Sequence, residues 1–165
     1  MAIETLRHER IEQLYYKSYP QNVKELMVRP DIVPELIVAI DRGGDDLYRF
    51  NLIIVLNHRS ALGDSERVAI VQSLEQALKD PFSWVRTEAV WGVGELGSIE
   101  SISRVIPLLD DPDPNVVNET VLTLAKFIGM PNAPISNQDM PADDRREIVE
   151  FLKDWWEKVR PELSQ

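Results

Sequence analysis

The residues ALKDPFSWVRTEAVWGVGELG, beginning at Ala77, are followed thirty-one positions later by LLDDPDPNVVNETVLTLAKFIG. Leu78 falls on Leu109, Asp80-Pro81 on Asp111-Pro112, Val85 on Val116, Glu88 on Glu119 and Leu96 on Phe127. A period of this length belongs to arrays in which each unit buries its apolar face only against the next. Within a unit the apolar residues recur at helical steps on both sides of a proline turn. The chain is therefore expected to be all-α, an array of antiparallel helix pairs around one continuous core. With 165 residues, 44% of them hydrophobic, it can bury such a core without a second domain.

Three repeats can be laid out. The clearest covers 64–97. Val68, Val71, Leu74 and Leu78 mark its first helix, Asp80-Pro81 breaks that helix, and Ser83 is placed to cap the second. Val85, Ala89, Val93 and Leu96 make the second helix's core stripe, and Gly97 is expected to end it in a left-handed conformation. Gly92 and Gly94 each cost about 1 kcal/mol against Ala inside a helix, so they imply close packing against a neighbour. Repeat 98–129 has Ile99, Ile102, Val105, Ile106 and Leu109, then the turn 111–114, then Val116, Thr120, Leu124 and Phe127. A degenerate repeat spans 31–58, with Asp31 as N-cap, Val33, Leu36, Ile37 and Ile40 as stripe, and Arg49, Asn51 and Leu52 aligned on Arg86, Glu88 and Ala89.

Residues 1–29 read as an N-terminal cap, with helices over 2–16 and 22–28. Residues 142–160 read as a capping helix with Ile148, Phe151, Leu152, Trp155 and Val159 on one side and Pro161 as its stop. Residues 130–142 read as a crossing loop.

At LKDPFSWVRTEAVWGVGELG the pattern leucine, Asp-Pro, Val-Arg, alanine, Leu-Gly-x-x-Gly resembles the HEAT repeat in its short bacterial form, the form also found in phycobilin lyases. The resemblance implies a right-handed α-solenoid, or superhelix, of about three HEAT-like repeats with capping helices at both ends. It also implies that second helices line the concave side, and that turn aspartates and arginines form a ladder between repeats. Here the ladder would comprise Asp80, Arg86 and Asp111. Asp80 would pair with Arg86; Val117 stands where the next arginine belongs, so Asp111 either ends the ladder or takes Arg86.

The second helices carry another stripe, about a third of a turn from the core stripe. Stacking the repeats sets Leu47, Trp84 and Asn115 in one column, Asn51, Glu88 and Glu119 in the next, then Ile54, Trp91 and Leu122, then His58, Glu95 and Lys126. The candidate partner-binding residues are accordingly Asn51, Ile54, Trp84, Glu88, Trp91, Glu95, Glu119 and Leu122. They form an apolar strip edged by carboxylates, of the kind that marks interfaces.

Chemistry is hard to find in the sequence. His8 and His58 lack any paired metal-ligand spacing, no Gly-x-Ser-x-Gly or phosphate-cradling loop occurs, and there is no cysteine. No catalytic residue, metal or cofactor is expected. A formal charge of -10 and a pI near 4.7 repel phosphate backbones, so nucleic acid is excluded as an expected partner. No run approaches a membrane span, and the charged start MAIETLRHERIEQLYYKSYP has no signal-peptide core, so a cytoplasmic location is expected. The expectation is a non-enzymatic scaffold or adaptor whose partner is a basic or amphipathic protein segment. The alternatives are a phycobilin-lyase-like or chaperone-like protein holding a flat ligand such as a bilin, and an acidic inhibitor of a basic protein.

Overall fold

The computed structural model describes residues 3–7, 21–29, 31–58, 63–130 and 141–163. Among these, a short 3-10 turn, Ile3–Arg7, precedes α1 (Gln21–Val28), α2 (Val33–Arg42), α3 (Asp46–Asn57), α4 (Asp64–Ala77) and α5 (Ser83–Leu96). Then follow α6 (Ile102–Val105) between 3-10 turns Ile99–Ser101 and Ile106–Asp110, α7 (Pro114–Phe127) and α8 (Ala142–Leu163). The described residues contain helices and turns only, as the sequence requires. The greater part of the expected helix over 2–16, with Tyr15, Tyr16 and Tyr19, lies outside the described residues.

The pairs are α2 with α3, α4 with α5, and α6 and its flanking turns with α7; the second helices α3, α5 and α7 lie side by side. That is the arrangement a short-period helical repeat adopts, because each helix pair covers the apolar side of its neighbour. The central helix shows it most plainly: Val85, Ala89, Val90 and Val93 of α5 are all buried, as are Val116, Thr120, Val121 and Leu124 of α7. Leu152 of α8 is 1% exposed and closes the far end of the core, with Ile148, Val149, Trp155 and Trp156 packed around it.

Several local expectations give way to packing. Asp31 does not cap α2; it pairs with Arg29 at 2.8 Å, while Ile32 occupies the cap position. The buried side of α4 is Ile70, Leu74, Ala77 and Leu78, leaving Val68 56% exposed and Val71 half-buried, because α4 is rotated by about a residue's step from the expected stripe. Ser83 is the first residue of α5 rather than its cap, and Phe82 occupies the cap position. Gly97 has a φ of -75°, so the left-handed ending is absent there and occurs one repeat later, at Gly129, with a φ of 73°. The first helix of the third repeat is divided into 3-10 and α pieces around Pro107, which lacks the N–H that a continuous α-helix needs. Ile99 is 40% exposed and Phe151 49% exposed, so neither belongs to the core stripe expected of it. α8 runs through Pro161 to Leu163 instead of stopping.

Repeats are tied at their turns by arginine–aspartate pairs. Arg49 Nε and Nη2 donate to the two oxygens of Asp80 at 2.7 and 2.8 Å, and Arg86 Nε and Nη2 donate to those of Asp111, both at 2.7 Å. Each arginine thus reaches the aspartate of the following repeat. The expected Asp80–Arg86 carboxylate pair does not form; Arg86 touches that turn only through the main-chain carbonyls of Asp80 and Pro81, at 2.8 and 3.0 Å. The aspartates also accept main-chain N–H groups, Phe82 to Asp80 and Asp113 to Asp111, at 2.9 Å each. Their hydrogen bonds to the aspartates raise both arginines above the usual guanidinium range, chiefly through Asp80 for Arg49 and Asp111 for Arg86. Val117, where a third arginine would stand, is 7% exposed and belongs to the core.

Two substitutions test this account. Gly92 packs so closely on α3 and α4 that a Cβ there would lie 2.0 Å from Asn57 Oδ1 and 2.8 Å from Leu74 Cδ1. Gly92→Ala should therefore destabilise the protein by ~1–2 kcal/mol in chemical denaturation, although helix propensity alone would favour Ala by about 1 kcal/mol. Arg86→Met leaves Asp111 without its planar partner and should cost ~3 kcal/mol, and Arg86→Lys should recover only part of that because it cannot donate in parallel to both oxygens.

Candidate functional site

Trp84, Glu88, Trp91 and Glu95 fall on one side of α5 because steps of four, three and four residues return close to the same angle on a helix. Asn115, Glu119, Leu122 and Lys126 do the same on α7, which lies against α5. Together these residues make a face running along the two helices, with aromatic and apolar groups between carboxylates.

The face is not exposed uniformly. Trp84 is 46% exposed, and it rests edge-on against Phe50 with ring centres 5.6 Å apart and parallel to Phe82 at 6.4 Å. Trp91 is half-buried, with the imidazole of His58 stacked on it at 5.3 Å and 23°. His58 Nδ1 lies 3.0 Å from the carbonyl of Ile54, which can only accept, so Nδ1 carries the proton in this contact. Leu122 is half-buried, and Glu95 receives Lys126 Nζ at 2.7 Å on the outer edge.

Three of the eight candidate residues lie beneath this surface. Ile54 is fully buried in the core. Asn51 is also fully buried, its Nδ2 donating to the carbonyl of Leu6 at 2.7 Å, so the N-terminal segment covers the first repeat's share of the face. Glu88 is 2% exposed, and Asn57 Nδ2 donates to its main-chain carbonyl at 2.8 Å. The column of aligned positions is continuous in register but not in exposure, since the outer helices bury the neighbours they pack against. Trp84, Trp91, Glu95, Glu119 and Leu122 remain accessible in whole or part.

Glu119 is the electrostatic oddity of the face. Burial, and then the charges of Glu88 and Glu95, push its carboxyl up from 4.5 to about 7. A carboxylate set among carboxylates in a poorly solvated position keeps its proton longer than it would in water. Asn57 was not singled out by the repeat pattern, yet it anchors Glu88. The signal for it is indirect: Gly92 leaves the space that the Asn57 amide occupies.

The fold and this face define a helical repeat protein whose second helices present side chains along a shared surface. The sequence model of the family described as HEAT repeats matches residues 71–151, and that stretch belongs to the HEAT-repeat family. No curated protein matches the chain. No group of three His, Cys, Asp or Glu side chains that could hold a metal ion occurs among the described residues, and no described helix is long and apolar enough to cross a membrane.

The Glu119 shift carries a stability prediction. Because the folded carboxyl titrates near 7 and the unfolded one near 4.5, the folded state binds the extra proton between those values. The stabilisation associated with the protonated form is full below about pH 4.5, declines as pH rises to about 7, and is gone above it. Glu119→Gln should remove that decline, leaving the variant ~2–3 kcal/mol more stable than the parent at pH 8 and little changed at pH 4.5, as read by urea denaturation across the range.

Proposed function

We propose that this protein is a non-enzymatic scaffold or adaptor that binds a basic or amphipathic segment of another protein through the α5–α7 face. HEAT repeats commonly serve as protein-interaction scaffolds, since stacked second helices offer an extended surface. The observation that carries the reading is Trp84, nearly half exposed yet held by two phenylalanine rings, on a face it shares with Trp91, Leu122 and Glu95. A large aromatic kept rigid at the surface loses little entropy on binding, and anchors of this kind dominate interface energies. The carboxylates and the net charge of -10 select a cationic partner and oppose nucleic acid. The cysteine-free composition suits work in a reducing cytoplasm.

A flat ligand such as a linear tetrapyrrole is the weaker reading, because His58 already covers one face of Trp91. An inhibitor of a basic protein would use the same surface and is a special case of the first reading.

An array of helical peptides varying in charge and in the spacing of apolar residues tests the proposal. Peptides with Lys or Arg beside an apolar stripe should bind, and Trp84→Ala and Glu95→Lys should each weaken them at least about tenfold while circular dichroism and melting stay near those of the parent. Equal binding of acidic peptides, or indifference to both substitutions, would rule this face out.

A further inference from the structure

Helix α8 is anchored on one side and bare on another. Leu152 faces the core, Arg145 donates to Asn118 of α7 at 2.7 Å, and Lys153 bonds Asp110 in the turn before α7. These contacts fix the rotation of the helix. Phe151, two residues before Lys153, stands about 200° round the helix from it, so it points away from the third repeat and is 49% exposed. Ile148 and Trp155, about one turn to either side of Phe151, are half-buried next to it, and Trp155 leans on Trp156 with ring centres 6.4 Å apart. The charges of α8 divide by side as well. Arg146 pairs with Asp143 at 3.6 Å and Arg160 with Glu157 at 2.6 Å, on the side away from Phe151. Asp144, Glu147 and Lys158 share the side of Phe151, are exposed, and form no ion pair with any described residue. Asp144 and Lys158 are each seven residues from Phe151, about 10 Å along the axis, so this side has an acidic end, a basic end and an aromatic midpoint.

We propose that this side of α8 is a self-association surface, on which a second copy of the chain docks with its own α8 antiparallel. A two-fold axis beside Phe151 brings the two phenylalanine rings together and sets Asp144 of each copy against Lys158 of the other, with Glu147 adding to the acidic end. Such an interface is isologous, the same patch meeting itself. A parallel arrangement would set acid on acid and lysine on lysine, which charges along paired helices oppose. The equal spacing of opposite charges about one exposed aromatic selects a second copy as the occupant, because the pattern becomes its own complement on rotation by half a turn. The patch is small and the net charge of -10 opposes bringing two copies together, so the dimer forms by mass action as concentration rises. The proposal uses α8 and is independent of the reading of the α5–α7 face.

Sedimentation equilibrium of the full chain from about 10 µM to about 500 µM should show the mass rising toward twice that of one chain. Phe151→Asp should hold it at the mass of one chain, with circular dichroism and melting near those of the parent, because the ring is half exposed. Asp144→Lys should weaken association at least about fivefold, and adding Lys158→Asp should restore it, since exchanging the two charges preserves the antiparallel complement. The chain has no cysteine, so a mixture of Asp144→Cys and Lys158→Cys should give, on mild oxidation, more of the mixed disulfide than chance pairing yields. The charge exchange and the disulfides use exposed positions and decide the matter even if Phe151→Asp melts early. The mass of one chain at every concentration overturns the proposal. A dimer that survives Phe151→Asp, a charge exchange that fails to restore association, or an excess of the symmetrical disulfides overturns it too.

Discussion

The turns at Asp80 and Asp111 are each held by an arginine of the preceding repeat that bonds the aspartate with two parallel N–H donors. Arg49 on Asp80 and Arg86 on Asp111 do more than pair charges, because each aspartate also accepts a main-chain N–H from the residues that begin the following helix. The arginine therefore sets the angle at which one second helix enters relative to the last. With α3, α5 and α7 aligned this way, valines and alanine of α5 can bury their side chains on both neighbours, and the core becomes continuous. The relay ends at Val117, and from there the packing of Leu152 and the tryptophans of α8 takes over.

The same alignment creates the tension on the outer side of those helices. Repetition that stacks valine on valine also stacks Glu88 on Glu119, and a carboxylate has no gain from that neighbour. Asn57 Nδ2 donates to the Glu88 main-chain carbonyl at 2.8 Å and lies 3.4 Å from its carboxylate, in space that Gly92 leaves open. Burial, and then the charges of Glu88 and Glu95, push the Glu119 carboxyl up to about 7.

How far the fold could be read in advance depended on whether a residue's role was local. Helix pairs, proline turns and the glycines that admit a neighbour follow from spacing and backbone chemistry, and they came out as expected for α3, α5 and α7. Roles set by rotation or by a distant contact did not. Val68 looked inward by periodicity but α4 turns Ile70 and Ala77 to the core, since its orientation is fixed by what α5 and α2 leave vacant. Ser83 has the side chain of a cap, but α5 begins at Ser83 itself, with Phe82 at the cap position. For the face, the helical register of Trp84, Glu88, Trp91 and Glu95 was legible, whereas the burial of Asn51 was not, because it depends on how the N-terminal segment lies across the first repeat.

By itself the sequence determined that this chain is an all-helical array, where its turns fall, and which residues share a side of each second helix, because those properties come from a thirty-one-residue period and the 100-degree step of the helix. Tertiary structure decided which member of each aspartate–arginine set pairs with which, how much of the acidic and aromatic stripe reaches solvent, and that Glu119 meets Glu88 and Glu95 in a poorly solvated place. Those depend on distances between helices, and a repeat pattern specifies the order of its units without specifying how closely neighbouring units approach.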